Sequence, residues 1–244
     1  MLEQPGNILA FDTTFGACSA ALRVSATADR RPQHAERFET MSSGHAERLM
    51  TMIAEVMGEA HLDFTGLDGL AVTVGPGTFT GTRVGIAAAR GLSFATGLPV
   101  FGTTSLALLA AAAGARTAIR DDVLPARIAV CKDARRGQVY RQDFQNLKNG
   151  PNLPPWLATV EEAATELRAY AGATWLAGDA AQLVFDEVGT SPLIKVAESS
   201  PKPPSAIHIF DVHLTRLESP EPLYLRAPDA KPQIDKVDKL LSRP

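Results

Sequence analysis

Cysteine, histidine and aromatic residues are scarce in this chain, and the first two shortages close off whole classes of protein. Only two cysteines occur in 244 residues, Cys18 and Cys131. They fit neither a disulfide framework nor a metal-ligand spacing, so two buried, reduced thiols are expected. The five histidines, His34, His45, His61, His208 and His213, contain no His-x-x-x-His and no His-Glu-x-x-His. A zinc or iron site on a helix face is therefore not expected. No Gly-x-Ser-x-Gly elbow occurs, which leaves a serine hydrolase little support. No apolar run is long enough to span a bilayer; the longest lies near residues 105–113. The first six residues have no basic stretch leading into an apolar run, so no signal peptide, no membrane and a cytoplasmic setting are expected. Net charge is only −3, so the chain as a whole is no electrostatic trap for nucleic acid.

What is present reads as an α/β chain long enough for two small lobes. Residues 7–11 and 17–24 form two short apolar runs around a Phe15-Gly16 turn, the pattern of a hairpin. Residues 37–40 suggest a third strand. Ser42-Ser43 offers a helix start, because a serine oxygen accepts from the free N–H groups of a first turn. The helix should cover 45–58, with Ala46, Leu49, Met50, Ile53 and Met57 on one stripe and Met52 and Val56 on a second apolar edge. So wide a face suggests either deep burial or a second contact. A strand over 69–74 runs into Gly75-Pro76-Gly77-Thr78-Phe79-Thr80-Gly81, followed by a helix over 82–96 that Gly97 stops. Glycine and alanine crowd that helix, and glycine costs about 1 kcal/mol in a helix interior, so close backbone approach is implied. A strand at 99–102 and a helix from 104 or 105 to 114 complete a first lobe, residues 1–115.

The polar connection 116–125 is the candidate lobe boundary, and residues 116–226 the second lobe. There, strand 127–131, turn 132–137 and strand 138–144 repeat the strand, Asp-containing turn and strand of residues 7–24, a hint of internal duplication. Thr159 with Glu162 forms a capping-box pattern that opens a helix to about residue 170. A strand over 174–177 and a brief helix follow. Residues 207–217 read as a helix, and the polar, basic tail 227–244 as a short helix or disorder.

Two stretches could carry chemistry. Asp12-Thr13-Thr14 ends a strand before a tight turn, where N–H and hydroxyl donors can meet a phosphate and the carboxylate a metal or water. Ordinary turns have the same composition, and both readings stand. The loop 75–81 sits between a strand and a helix, where an anion would sit. It has neither the Gly-Lys-Ser/Thr ending of a P-loop nor dinucleotide spacing. A rigid turn that lets a small-residue helix pack closely explains it equally well. His45, in the first helical turn, reads as a capping or surface residue.

Several motifs resemble the TsaB (YeaZ) family. They are Ile8-Leu9-Ala10-Phe11-Asp12-Thr13-Thr14 with Cys18–Leu22, Ser43–Leu49, Val74–Ile86 continuing through Leu92, Asp133–Tyr140, and Pro222-Leu223-Tyr224-Leu225-Arg226. The long glycine-rich stretch is the most specific. The resemblance implies an actin-like, sugar-kinase-like fold of two lobes. It also implies a role in bacterial threonylcarbamoyl transfer to adenosine 37 of tRNAs that read codons starting with A. In that family a TsaD-type paralogue is catalytic and a TsaE-type ATPase is accessory. TsaD-like proteins hold a metal with a His-x-x-x-His helix that is missing here, and the region of Gly178-Asp179-Ala180-Ala181 lacks the glycine cluster that holds adenosine. A non-catalytic subunit follows, with a vestigial phosphate site at Asp12, Thr13, Thr14 and Asp133. No tightly bound cofactor is expected, and any ATP or ADP would sit at the subunit boundary. The resemblance also implies pairing through first-lobe helices, with His45, Leu49, Met50, Met52, Ile53, Val56 and Ile86 as contacts and Arg83 and Arg90 at the rim. The chain alone could form a homodimer through the same surface, and tRNA would be reached through the complex. The alternative is a stand-alone glycopeptidase-like (M22-type) peptidase or a small actin-like ATPase or kinase.

Overall fold

A computed structural model of the chain describes residues 6–26, 31–118, 126–151, 153–197 and 203–226. The first of its two mixed sheets opens with antiparallel strands β1 (Ile8–Asp12), β2 (Ala17–Val24) and β3 (Gln33–Thr40). Helix α1 (His45–Glu59) leads to β4 (Gly69–Thr73), parallel to β1, and α2 (Phe79–Thr96) leads to β5 (Val100–Thr103), parallel to β4. Helix α3 (Ser105–Ala118) follows. The second sheet repeats the plan. Strands β6 (Arg127–Asp133), β7 (Gln138–Phe144) and β8 (Trp156–Thr159) form a meander. Then α4 (Val160–Ala169), β9 (Thr174–Ala177), α5 (Ala181–Val188) and β10 (Ile194–Val196) follow, with β9 parallel to β6 and β10 parallel to β9.

Apart from a sixth strand added to the first sheet beside β5, the strand orders are β5-β4-β1-β2-β3 and β10-β9-β6-β7-β8, the same in both sheets. The duplication hinted at by two hairpins therefore extends through strand order, strand direction and helix placement. This is the α/β, actin-like two-lobed arrangement that the sequence led us to expect.

Alternation along β1 places the layers. Leu9 and Phe11 pack with α1 residues Leu49, Met52, Ile53 and Val56, while Ile8 and Ala10 pack with Leu108 of α3 and with Ile209 and Phe210. Both faces are covered, as parallel strands require. Helix α3 also meets the second sheet through Leu106, Ala107, Ala110 and Ala111, against Ile128, Val130 and Trp175. Its remaining face is closed by α4 and α5 over Ala129, Cys131 and Leu176. The layers thus run α1/α2, first sheet, α3, second sheet, α4/α5.

Several elements depart from expectation. The N-cap of helix α1 is Gly44, in a left-handed conformation and with no side-chain cap, so neither Ser43 nor His45 caps the helix. Helix α2 begins three residues early because the Thr78 oxygen accepts from the Gly81 N–H. Helix α3 continues to residue 118 and packs on both sheets, so the connection begins later than residue 116; residues 119–125 lie outside the described residues, as does the tail 227–244. The expected helix over 207–217 is a short 3-10 helix, Ala206–Asp211, followed by strand β11 (Thr215–Leu217). β11 pairs antiparallel with β5, so the chain after residue 205 returns to the first sheet.

Candidate functional site

The ends of the parallel strands converge on a cleft between the lobes, where ligands of α/β sheets gather. A cavity of about 770 Å³ lies there. Thr14, Phe15 and Gly16 of the β1–β2 turn line it together with Lys132 and Asp133 at the end of β6 and Arg135 of the β6–β7 turn. Gly77 and Thr78 close one side and Gly178 and Asp179 another, with α3 contributing Leu109 and Ala112.

The first hairpin spends its polar groups inward. Asp12 is fully buried and does not line the cavity. Its Oδ1 accepts from the Thr14 hydroxyl at 2.6 Å, the Thr14 N–H at 3.2 Å and the Thr73 hydroxyl. Its Oδ2 has no partner. Burial pushes this carboxyl above its ordinary value, against the lowering effect of the Thr14 and Thr73 bonds and of His45. The Thr13 hydroxyl donates to the Gly81 carbonyl at 2.7 Å. Asp12 thus braces the hairpin from beneath, and its carboxyl group does not reach the cavity.

The loop 75–81 lies against the same hairpin. The Thr78 N–H donates to the Thr14 carbonyl at 2.8 Å. A side chain at Gly77 would strike the Thr14 carbonyl, and one at Gly81 the Thr13 carbonyl. Glycine is required because loop and helix lie directly on the hairpin backbone. Gly77 and Gly81 have the close packing of a rigid turn, and Gly77 and Thr78 of the same loop also line the cavity. Asp133 caps its own turn, its Oδ1 accepting from the Arg135 N–H at 2.7 Å. Asp179, which residue-level reading missed, accepts through Oδ1 from the Asp133 N–H at 2.7 Å and pairs through Oδ2 with the Lys132 ammonium. These bonds span 47 and 46 residues, and local sequence carries no signal for them.

The outer face of α1 and α2 needs a correction. Leu49, Met52, Ile53 and Val56 are buried in the core, as are His45 and Ile86, so none is available to a partner. Met50 is the one expected apolar contact left outside, at 46% exposure. The exposed stripe of α1 is Ala46, Met50, Ala54 and Gly58; that of α2 is Arg83, Ala87, Arg90, Gly91 and Phe94. Phe94 stands 94% exposed. Its spacing from Arg83, Ala87 and Arg90 is the signal that could have found it.

The stretch 39–155 matches the family model "TsaD: tRNA N6-adenosine threonylcarbamoyltransferase". The chain is 33% identical over 143 residues to the tRNA threonylcarbamoyladenosine biosynthesis protein TsaB of Escherichia coli, covering 59% of this chain and 57% of that protein. To the protein of the same name from Buchnera aphidicola it is 31% identical over 160 residues, covering 66% of this chain and 69% of the relative. The chain belongs to the TsaB (YeaZ) family. The fold agrees: YeaZ from Pseudomonas aeruginosa superposes with a TM-score of 0.72 at 26% identity, covering 90% of this chain and all of that one. The first two curated TsaB relatives, from E. coli and Haemophilus influenzae, are matched over 57% and 42% of their length.

The last TsaB-like motif, Pro222–Arg226, is a strap between the lobes. Leu223 donates its N–H to the Val74 carbonyl at 2.8 Å. Tyr224 stacks on Phe79, and its hydroxyl accepts from Arg83 Nε at 2.7 Å, with the Arg83 guanidinium 3.6 Å over the Phe79 ring. Arg90 Nε donates to the Pro220 carbonyl at 2.7 Å. Arg226 then reaches the second lobe, donating to the Ala134 carbonyl at 2.8 Å. Arg83 and Arg90, expected at a docking rim, hold this strap while remaining exposed. Among the described residues no group of three His, Cys, Asp or Glu side chains is placed to hold a metal ion, and no helix is long and apolar enough to cross a membrane.

Proposed function

We propose that this chain is a non-catalytic subunit in the formation of threonylcarbamoyladenosine at position 37 of tRNAs that read codons starting with A. It docks on a TsaD-type catalytic subunit through the outer face of α1 and α2. The observation that carries this reading, beside family membership, is the solvent-exposed Phe94 with Met50 on neighbouring helices. Both lie among small residues, Ala54, Ala87, Gly91 and Ala95, that let another helix pair approach. Exposed aromatics surrounded by packable surface are what interface centres are made of. The matched TsaD stretch includes α1 and α2, which supports a paired arrangement of like faces, and a homodimer of the free chain through the same face. A TsaE-type ATPase and tRNA would join through the complex, with any ATP or ADP held at the subunit boundary and the assembly working in the cytoplasm. The stand-alone peptidase or ATPase reading loses support because Asp12 is sealed under the hairpin.

The test is the modified-nucleoside content of tRNA in cells whose own copy is replaced by Phe94→Asp. A fall in threonylcarbamoyladenosine at unchanged protein level supports the reading; wild-type content removes it.

A further inference from the structure

An actin-like fold implies a nucleotide whose phosphates lie between the two hairpins, and the residues of this cleft can be tested against such a group one by one. On the first-lobe side the hydroxyls of Thr13 and Thr14 donate to Gly81 and Asp12 rather than into the cavity. On the second-lobe side the two donors suited to an anion, the Asp133 N–H and the Lys132 ammonium, converge on one carboxylate, that of Asp179. The turn that carries Asp179 is fixed by the Ala180 N–H, which donates to the Cys131 carbonyl at 3.1 Å. Lys132 is held from the other side too, 5.3 Å from the centre of the Phe15 ring across the cleft. Asp133 and Asp179 set two carboxylates against Lys132 and Arg135 around this opening, with Arg135 paired to Asp133 at 3.3 Å. A phosphate entering here would meet satisfied donors and like charge. The residues present do not fit the group.

We infer that Asp179 is a built-in anion that fills the phosphate position of the second hairpin, so that the cleft refuses nucleoside diphosphates, and that its removal uncovers a latent receptor for them. The rest of the cleft could take the nucleoside: its volume is in the range of small-molecule sites, and Leu109, Ala112, Ala177 and Pro204 give it an apolar end. The inference does not depend on what docks on α1 and α2.

The experiment is calorimetric titration of the purified full chain with ADP and, separately, with inorganic pyrophosphate. Wild type should show no saturable binding at millimolar ligand. Asp179→Ala should bind both at least about tenfold more tightly, and the added change Lys132→Ala should abolish the gain. Asp179→Asn, which keeps an oxygen for the Asp133 N–H, should melt like wild type and recover part of the gain, which guards against a misfolded alanine variant. Wild type binding ADP as tightly as Asp179→Ala would overturn the inference. So would folded Asp179→Ala and Asp179→Asn proteins that remain as blind to both ligands as wild type.

Discussion

Replacing Ile53 with alanine separates a core helix face from a docking face. Ile53 is 1% exposed and packs in one cluster with Leu9, Phe11, Leu22, Leu70 and Val72. Truncating such a side chain removes its transfer energy and leaves a cavity that dense surroundings only partly refill, a cost of about 2–5 kcal/mol. For a chain of this size each kcal/mol lowers the melting temperature by about 2–4 °C. Ile53→Ala should therefore melt about 4–20 °C below wild type by circular dichroism or calorimetry. Met50→Ala, one helical step away but on the exposed side, should stay within about 0.5 kcal/mol of wild type. The contrast follows from orientation alone, since both positions lie on α1 and both carry apolar side chains. If Ile53→Ala melted within about 2 °C of wild type, the inward placement of this face would be wrong.

Three further outcomes follow from particular contacts. Thr159→Ala removes the side chain that accepts from the Glu162 N–H in the α4 capping box, and should cost about 1 kcal/mol in denaturant titration. Asp12 has its carboxyl raised by burial, so the native state holds its proton above the unfolded value of about 3.9 and this group's contribution to stability falls as pH rises through that window. The stability of wild type relative to Asp12→Asn should accordingly decline as pH rises above about 4; a relative gain with rising pH would contradict the assignment. Burial pushes the thiols of Cys18 and Cys131 up to about 12, so neither should react with iodoacetamide in the native state at neutral pH, and both should react once the chain is unfolded.

Much of the frame could be read from the chain because its signals are local. The Asp-containing turns with apolar runs on either side gave both hairpins, and Thr159 with Glu162 gave the start of α4. Three short strands carry too little signal: β8, β10 and β11 are three or four residues long, too few for alternation to show, whereas the equally short β5 and β9 are continuous apolar or small-residue runs that follow turn residues. The apolar spacing of residues 207–217 imitates a helix, yet Leu217 pairs with Val100 and Arg216 with Phe101 in an antiparallel edge. Spacing alone does not give the inward face of α1, because apolar residues occur on both sides of it. What decides between Met50 and Ile53 is the small-residue surface of β2, Cys18 and Ala20, into which the helix sinks. The cleft was hardest to read. That Asp12 points inward depends on Thr73, 61 residues away, and that Asp179 fills the second hairpin depends on Lys132 and Asp133 on another strand. Such long-range hydrogen bonds leave no trace in local spacing.

The central claim is that the outer face of α1 and α2 docks on a TsaD-type protein, and sedimentation velocity on the two purified proteins tests it most directly. Wild type should co-sediment with the partner, while Phe94→Asp, melting like wild type, should bind at least about 30-fold more weakly, the loss expected at an interface centre. A folded Phe94→Asp chain that binds as tightly as wild type, or a wild-type chain that never co-sediments, would contradict the account.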